Sequence, residues 1–140
     1  MLICIDSCVF IRGLRDPLSD ANRLLELFDS FMQLVIPRLI AVEVKRNLQT
    51  VDRGRFYRLF YEHPFARIIE EDIPDGLLQD YMARGLRAKG DAYIGAFAEL
   101  MAVDFLISDN RHFLRELRTT AYQLASPGEF LEQLQRKAGS

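Results

Sequence analysis

The sequence has little from which to build a zinc centre or a disulfide framework. Its two cysteines, Cys4 and Cys8, and its two histidines, His63 and His112, form no cluster at metal-ligand spacing. Reduced, mostly structural thiols are the simpler reading. No apolar run approaches the roughly 20 residues of a membrane span, and the first residues lack the basic region and small-residue cleavage site of a signal peptide. The sequence therefore predicts a cytoplasmic protein with no membrane partner. It also lacks internal repeats, low-complexity tracts and linkers, and neither sign of charge dominates. A formal net charge of −2 does not suit a surface that neutralises phosphates. If several acids gathered in one pocket, however, the remaining surface would be slightly basic, so the overall balance does not exclude nucleic acid.

What is present is a chain of 140 residues, 49% apolar and 27% charged, which predicts one globular domain over 1–140 with a real core. The organising stretch is Leu2-Ile3-Cys4-Ile5-Asp6-Ser7. Its unalternated apolar run reads as a strand buried on both faces, with a carboxylate at the carboxyl end. Phe105-Leu106-Ile107-Ser108-Asp109 repeats that pattern, and Leu34–Ile36 is a third short strand ended by Pro37. Arg12 to Pro17 reads as a loop, and Ser19 or Asp20 as the cap of a helix bearing Leu24, Leu25, Leu27, Phe28 and Phe31. Further helices are expected through Ile40, Val44 and Leu48, through Phe56, Leu59 and Phe60, and from Asp75. Another is expected from Lys89, rich in small residues (Ala92, Gly95, Ala96, Ala98, Ala102) and central to the sheet. Ile68-Ile69 reads as a strand or a packed connection, Arg111 to Leu117 as a short helix, and Ala121 to Leu124 as the last strand. Ser126-Pro127-Gly128-Glu129 has capping-box spacing. Strands alternating with helices predict a three-layer α/β/α sandwich around a mostly parallel sheet.

Four carboxylates stand out by position. Asp6 and Asp109 end apolar strands, Asp91 opens the small-residue helix, and Glu43 lies among apolar neighbours in its own helix. Singly, each has a structural alternative: three can cap helices, and Glu43 can pair with Arg46. Jointly they predict one acidic site at a sheet edge. Like charges about 4 Å apart repel by about 4 kcal/mol at an effective dielectric near 20, so such a cluster needs protonation or a cation. All-oxygen ligands select Mg²⁺ or Mn²⁺. Metal-dependent phosphodiester hydrolysis is the reaction class that follows.

Ile5-Asp6-Ser7-Cys8-Val9-Phe10-Ile11, Val42-Glu43-Val44, Gly90-Asp91-Ala92-Tyr93-Ile94-Gly95-Ala96 and Ile107-Ser108-Asp109-Asn110-Arg111-His112-Phe113 resemble, in order, the four motifs of PIN-domain ribonucleases. In size the chain is most similar to the VapC-like toxins of toxin–antitoxin pairs. The resemblance implies a PIN-like fold and Mg²⁺- or Mn²⁺-dependent RNA cleavage, with Asp6, Glu43, Asp91 and Asp109 as the catalytic, metal-binding acids. It places Ser7 and Ser108 where the family has a hydroxyl that hydrogen-bonds within the site, and Asn110 where an amide orients a carboxylate or touches substrate. It further implies an RNA substrate, a homodimer and a cognate antitoxin. Ala41 departs from the pattern, standing where the family often has Ser or Thr. A non-catalytic RNA- or protein-binding module of the same fold is the alternative, and a metal-dependent phosphatase a third.

Two basic groups remain. Arg84, Arg87 and Lys89 precede Asp91 and can meet an RNA backbone or be solvated helix charge. Arg53, Arg55, Arg58 and Arg67 interleave with Phe56, Tyr57, Phe60 and Tyr61, which reads as core aromatics with solvated arginines, or as a surface facing RNA or a partner protein.

Overall fold

A computed structural model describes residues 1–27, 32–86 and 89–138. Five strands form one sheet: β1 (Leu2–Ile5), β2 (Gln33–Pro37), β3 (Ala66–Ile69), β4 (Phe105–Ile107) and β5 (Gln123–Ala125). Their order is β3-β2-β1-β4-β5, and every pairing is parallel. β1 is central, and Ile3, Cys4 and Ile5 are wholly buried, as are Leu34, Val35 and Ile36 of β2. That is why these strands read as unbroken apolar runs. The outer strand β3 instead keeps Arg67 and Ile68 exposed.

The helices are α1 (Ser7–Arg15), α2 (Asp20–Glu26), α3 (Arg38–Asn47), α4 (Thr50–Glu62), α5 (Asp75–Ala83), α6 (Lys89–Leu100) and α7 (Pro127–Ala138), with a π-helical turn at His112–Glu116. Chain direction reverses across the sheet between β3 and β4. Right-handed crossovers therefore set α1–α4 on one face and α5 and α6 on the other. The packing agrees: α1 touches α2, α3 and α4, whereas α5 pairs with α6, which lies against β4. The expected sandwich is the one observed, with its sheet parallel throughout. No helix among the described residues is long and apolar enough to cross a membrane.

Several local expectations need correction. Residues Arg12–Arg15 continue α1 instead of forming a loop. Asp6 caps that helix, and Val9, Phe10, Gly13 and Leu14 recur at helical spacing as its buried stripe. α2 stops at Glu26, so Leu27 lies beyond the helix and is exposed; the expected core residues Phe28 and Phe31 lie outside the described residues. Ile68-Ile69 is a strand, and the last strand sits one to two residues later than predicted. α6 ends at Leu100, and Ala102 adopts φ 54°, the left-handed conformation that closes a helix. The capping box forms as predicted: Ser126 Oγ accepts from Glu129 N at 3.2 Å, and Glu129 Oε1 accepts from Ser126 N at 3.4 Å.

The small residues of α6 have a definite use. A Cβ on Gly95 would stand 2.8 Å from Cδ1 of Tyr81 and 3.3 Å from Leu86 Cδ1. The Tyr81 ring cannot swing clear, because it is fully buried, stacks on Tyr122 at 6.4 Å and donates its hydroxyl to Glu99. Gly95→Ala should therefore cost about 1–3 kcal/mol by overpacking despite alanine's higher helix propensity. Urea denaturation measures this, and an unchanged midpoint would show that α5 yields.

Candidate functional site

β1 is where the strand order changes direction, and open parallel sheets hold their ligands beyond the carboxyl ends of the strands at such a point. Asp6 is the first residue past that end. Its N–H still bonds to the carbonyl of Ile107 at 2.9 Å, extending the Ile5–Ile107 register by one step. That register sets Ser108 beside it, and Ser108 Oγ donates to Asp6 Oδ2 at 2.8 Å. The other carboxylate oxygen caps α1, accepting from Ser7 N at 2.8 Å. Both wings of the site are fixed from here. Ser7 Oγ donates to Glu43 Oε2 at 2.8 Å, tying α3 to α1. Asn110 receives Ser108 Oγ on its backbone N–H at 2.9 Å and points its amide at both oxygens of Asp91, 3.5 Å away.

Asp6 is only 5% exposed. Burial pushes its carboxyl above the usual range, the bonds from Ser108 and Ser7 pull it back, and the charges of Asp91 and Glu43 push it up again. Three acids from β1, α3 and α6 therefore share one electrostatic field. The same burial, with Asp6 nearby, pushes the Cys8 thiol up to about 11, so Cys8 is a protonated neighbour, 3.7 Å from Asp6 Oδ2. Removing the hydroxyl in Ser108→Ala should raise the Asp6 carboxyl further, by loss of a bond that favours its ionised form. Carbon-detected NMR titration of the aspartate side chains reads the shift, and a downward move would contradict the arrangement.

Asp109 stands differently. Arg12 Nε donates to its Oδ2 at 2.9 Å and an Arg12 Nη to its Oδ1 at 3.0 Å. The same guanidinium lies 2.6 Å from Asp20 Oδ1. Among the described residues, the structure brings Asp6, Glu43 and Asp91 together and holds Asp109 in an ion pair. Sequence reading missed Arg12 and Asp20 because it placed Arg12 in a loop. The signal that could have found them was the helical spacing from Val9 to Leu14.

The fold is a known one. It is similar to the crystal structure of VapBC2 from Rickettsia felis bound to a DNA fragment from their promoter, at a TM-score of 0.61 over 89% of this chain and 97% of that chain. The identity is 15%, so the likeness concerns the fold and not the site. No protein-family model and no curated protein matches the chain.

The donor set fits a hard divalent cation, being three carboxylates with hydroxyl and amide support and no imidazole or thiolate ligand. Among the described residues no three such side chains stand close enough to enclose an ion, so occupancy would require the carboxylates to close by side-chain rotation. The basic groups are mostly committed elsewhere. Arg84 pairs with Asp80 at 2.6 Å and covers the Tyr81 ring, which makes it a brace of α5 and not a free phosphate contact. Arg87 and the Lys89 side chain lie outside the described residues. Arg53 donates to the Leu48 carbonyl, while Arg55 and Arg58 pair along α4 with Asp52 and Glu62.

Proposed function

We propose that this chain is a Mg²⁺- or Mn²⁺-dependent endoribonuclease, the toxin member of a cytoplasmic toxin–antitoxin pair. The observation that carries the reading is Asp6: a nearly buried carboxylate at the sheet's switch point, with Glu43 and Asp91 raising its proton affinity. Such an arrangement disfavours its own ionised form unless a cation joins it. Asp6, Glu43 and Asp91 would hold the ion, whose contribution is Lewis acidity for phosphodiester hydrolysis.

The protein's part is orientation. Ser108 and Ser7 N–H hold the two oxygens of Asp6 apart, and Ser7 Oγ aims Glu43. Asn110 steers Asp91 toward the same edge. These partners fix each carboxylate before substrate arrives, which is what a metal site needs from its surroundings. By family resemblance the products carry a 3′-hydroxyl and a 5′-phosphate. The fold shared with VapBC2 supports an antitoxin partner, and a homodimer follows from the same resemblance.

The test is incubation with labelled single-stranded RNA and Mn²⁺, with and without EDTA. Cleavage confined to the Mn²⁺ arm is expected. Retention of RNA without cleavage in either arm would favour a binding module, and turnover of a phosphomonoester alone would favour a phosphatase.

A further inference from the structure

Three elements meet in one charged knot beside the carboxylates. Arg12 of α1 grips Asp109 through two parallel hydrogen bonds, at 2.9 and 3.0 Å, and reaches Asp20 at the start of α2 at 2.6 Å. Only a planar guanidinium can serve both carboxylates this way, since an ammonium offers a single charged point. The grip has two consequences for cation binding. Asp109 already has the positive charge that a divalent ion would bring. An ion placed against Asp109 would also stand beside the Arg12 guanidinium and be repelled by it. By contrast, Asp6, Glu43 and Asp91 are partnered by the neutral donors Ser108, Ser7 and Asn110.

We infer that Arg12 is a positioning residue that sets the metal stoichiometry of this site: by holding Asp109 in an internal ion pair, it limits the site to one divalent ion, bound by Asp6, Glu43 and Asp91. The inference rests on the metal-site reading above and adds to it. Of the four acids marked in the sequence, three are ligands and the fourth is the Arg12 counter-charge.

Isothermal titration of the full chain with Mn²⁺ alone, together with the paramagnetic resonance signal of free Mn²⁺, counts ions without reference to activity. The wild type should bind one Mn²⁺ per chain. Arg12→Gln, which frees Asp109, should bind a second, whereas Arg12→Lys, which keeps the charge, should still bind one. Adding Asp109→Asn to Arg12→Gln should restore a count of one. Two ions in the wild type, or a single ion in a natively folded Arg12→Gln by circular dichroism, would overturn the inference and leave the metal reading intact. No binding in the wild type would remove both. Should Arg12→Gln fail to fold, Asp109→Asn alone decides: a Mn²⁺ affinity within twofold of wild type is expected, and a tenfold loss would restore Asp109 as a ligand.

Discussion

Asp6→Asn is expected to lower RNA cleavage by more than about a hundredfold while making the protein more heat-stable in EDTA. Loss of groups that merely orient a metal's ligands costs about 10–100-fold, and Asp6 is the acid around which the others are arranged. The gain in stability comes from the same chemistry. Burial, Asp91 and Glu43 raise the Asp6 carboxyl in the folded chain. A folded-state pKa above the unfolded one means that stability is fullest below the unfolded value and declines as pH rises through the folded one. At neutral pH the native protein therefore carries an ionised group that its surroundings oppose. Asparagine removes the charge and still accepts from Ser7 N, while the Ser108 hydroxyl can turn to accept from the new amide. The expected gain is about 1 kcal/mol, or roughly 2–4 °C at this size. It should shrink as pH falls through the carboxylate range, where wild-type Asp6 becomes neutral too. In Mn²⁺ the order should reverse, because the wild type gains ligand stabilisation that the variant loses. Calorimetry at pH 7.5 and pH 4, with EDTA or Mn²⁺, checks all of this. A variant less stable than wild type in EDTA at neutral pH would show that Asp6 serves mainly as the cap of α1.

The parts of this molecule legible in its sequence are those in which one physical signal acts alone. β1, β2 and β4 are wholly buried, so their apolar runs have no competing explanation. The Ser126–Glu129 capping box is a local device, and it forms as written. The convergence of Asp6, Glu43 and Asp91 was legible because carboxylates at strand ends and helix starts must emerge at the same sheet edge. Legibility failed where two signals competed. Val9-Phe10-Ile11 follows a strand so closely that its helical spacing looked like more strand, which hid α1 and with it Arg12. Asp109 looked equivalent to Asp6 because both end apolar strands. What separates them is a guanidinium 97 positions away in sequence, which no local pattern encodes. Arg84 failed for a similar reason, since its partner Asp80 and the Tyr81 ring under it become visible only once α5 is folded.

The largest loss of stability is expected from a residue that touches no substrate. Phe10 is fully buried in α1 and meets Phe56 of α4 edge-on, with ring centroids 5.2 Å apart and planes at 87°. Phe56 in turn packs on Phe60 at 5.2 Å, so the contact clamps α1 through an aromatic cluster on α4. Truncating Phe10 to alanine removes the side chain's transfer energy and leaves a cavity between two helices that the sheet holds in place. About 3–5 kcal/mol should be lost, a large share of the roughly 5–15 kcal/mol that keeps a domain folded. Phe60→Ala, at a partly buried position on the same cluster, should cost clearly less. The site will feel the loss as well as the core, because α1 also carries Ser7, Cys8 and Arg12. In the Phe10 variant, at a temperature where it remains folded, Mn²⁺ should stabilise less than it does in the wild type, since the Ser7–Glu43 bond depends on the seat of α1 against α3. Urea titrations with and without Mn²⁺ separate the two effects. If the variant loses several kcal/mol yet keeps the full metal increment, the carboxylates are positioned by the sheet alone, and α1 only covers them.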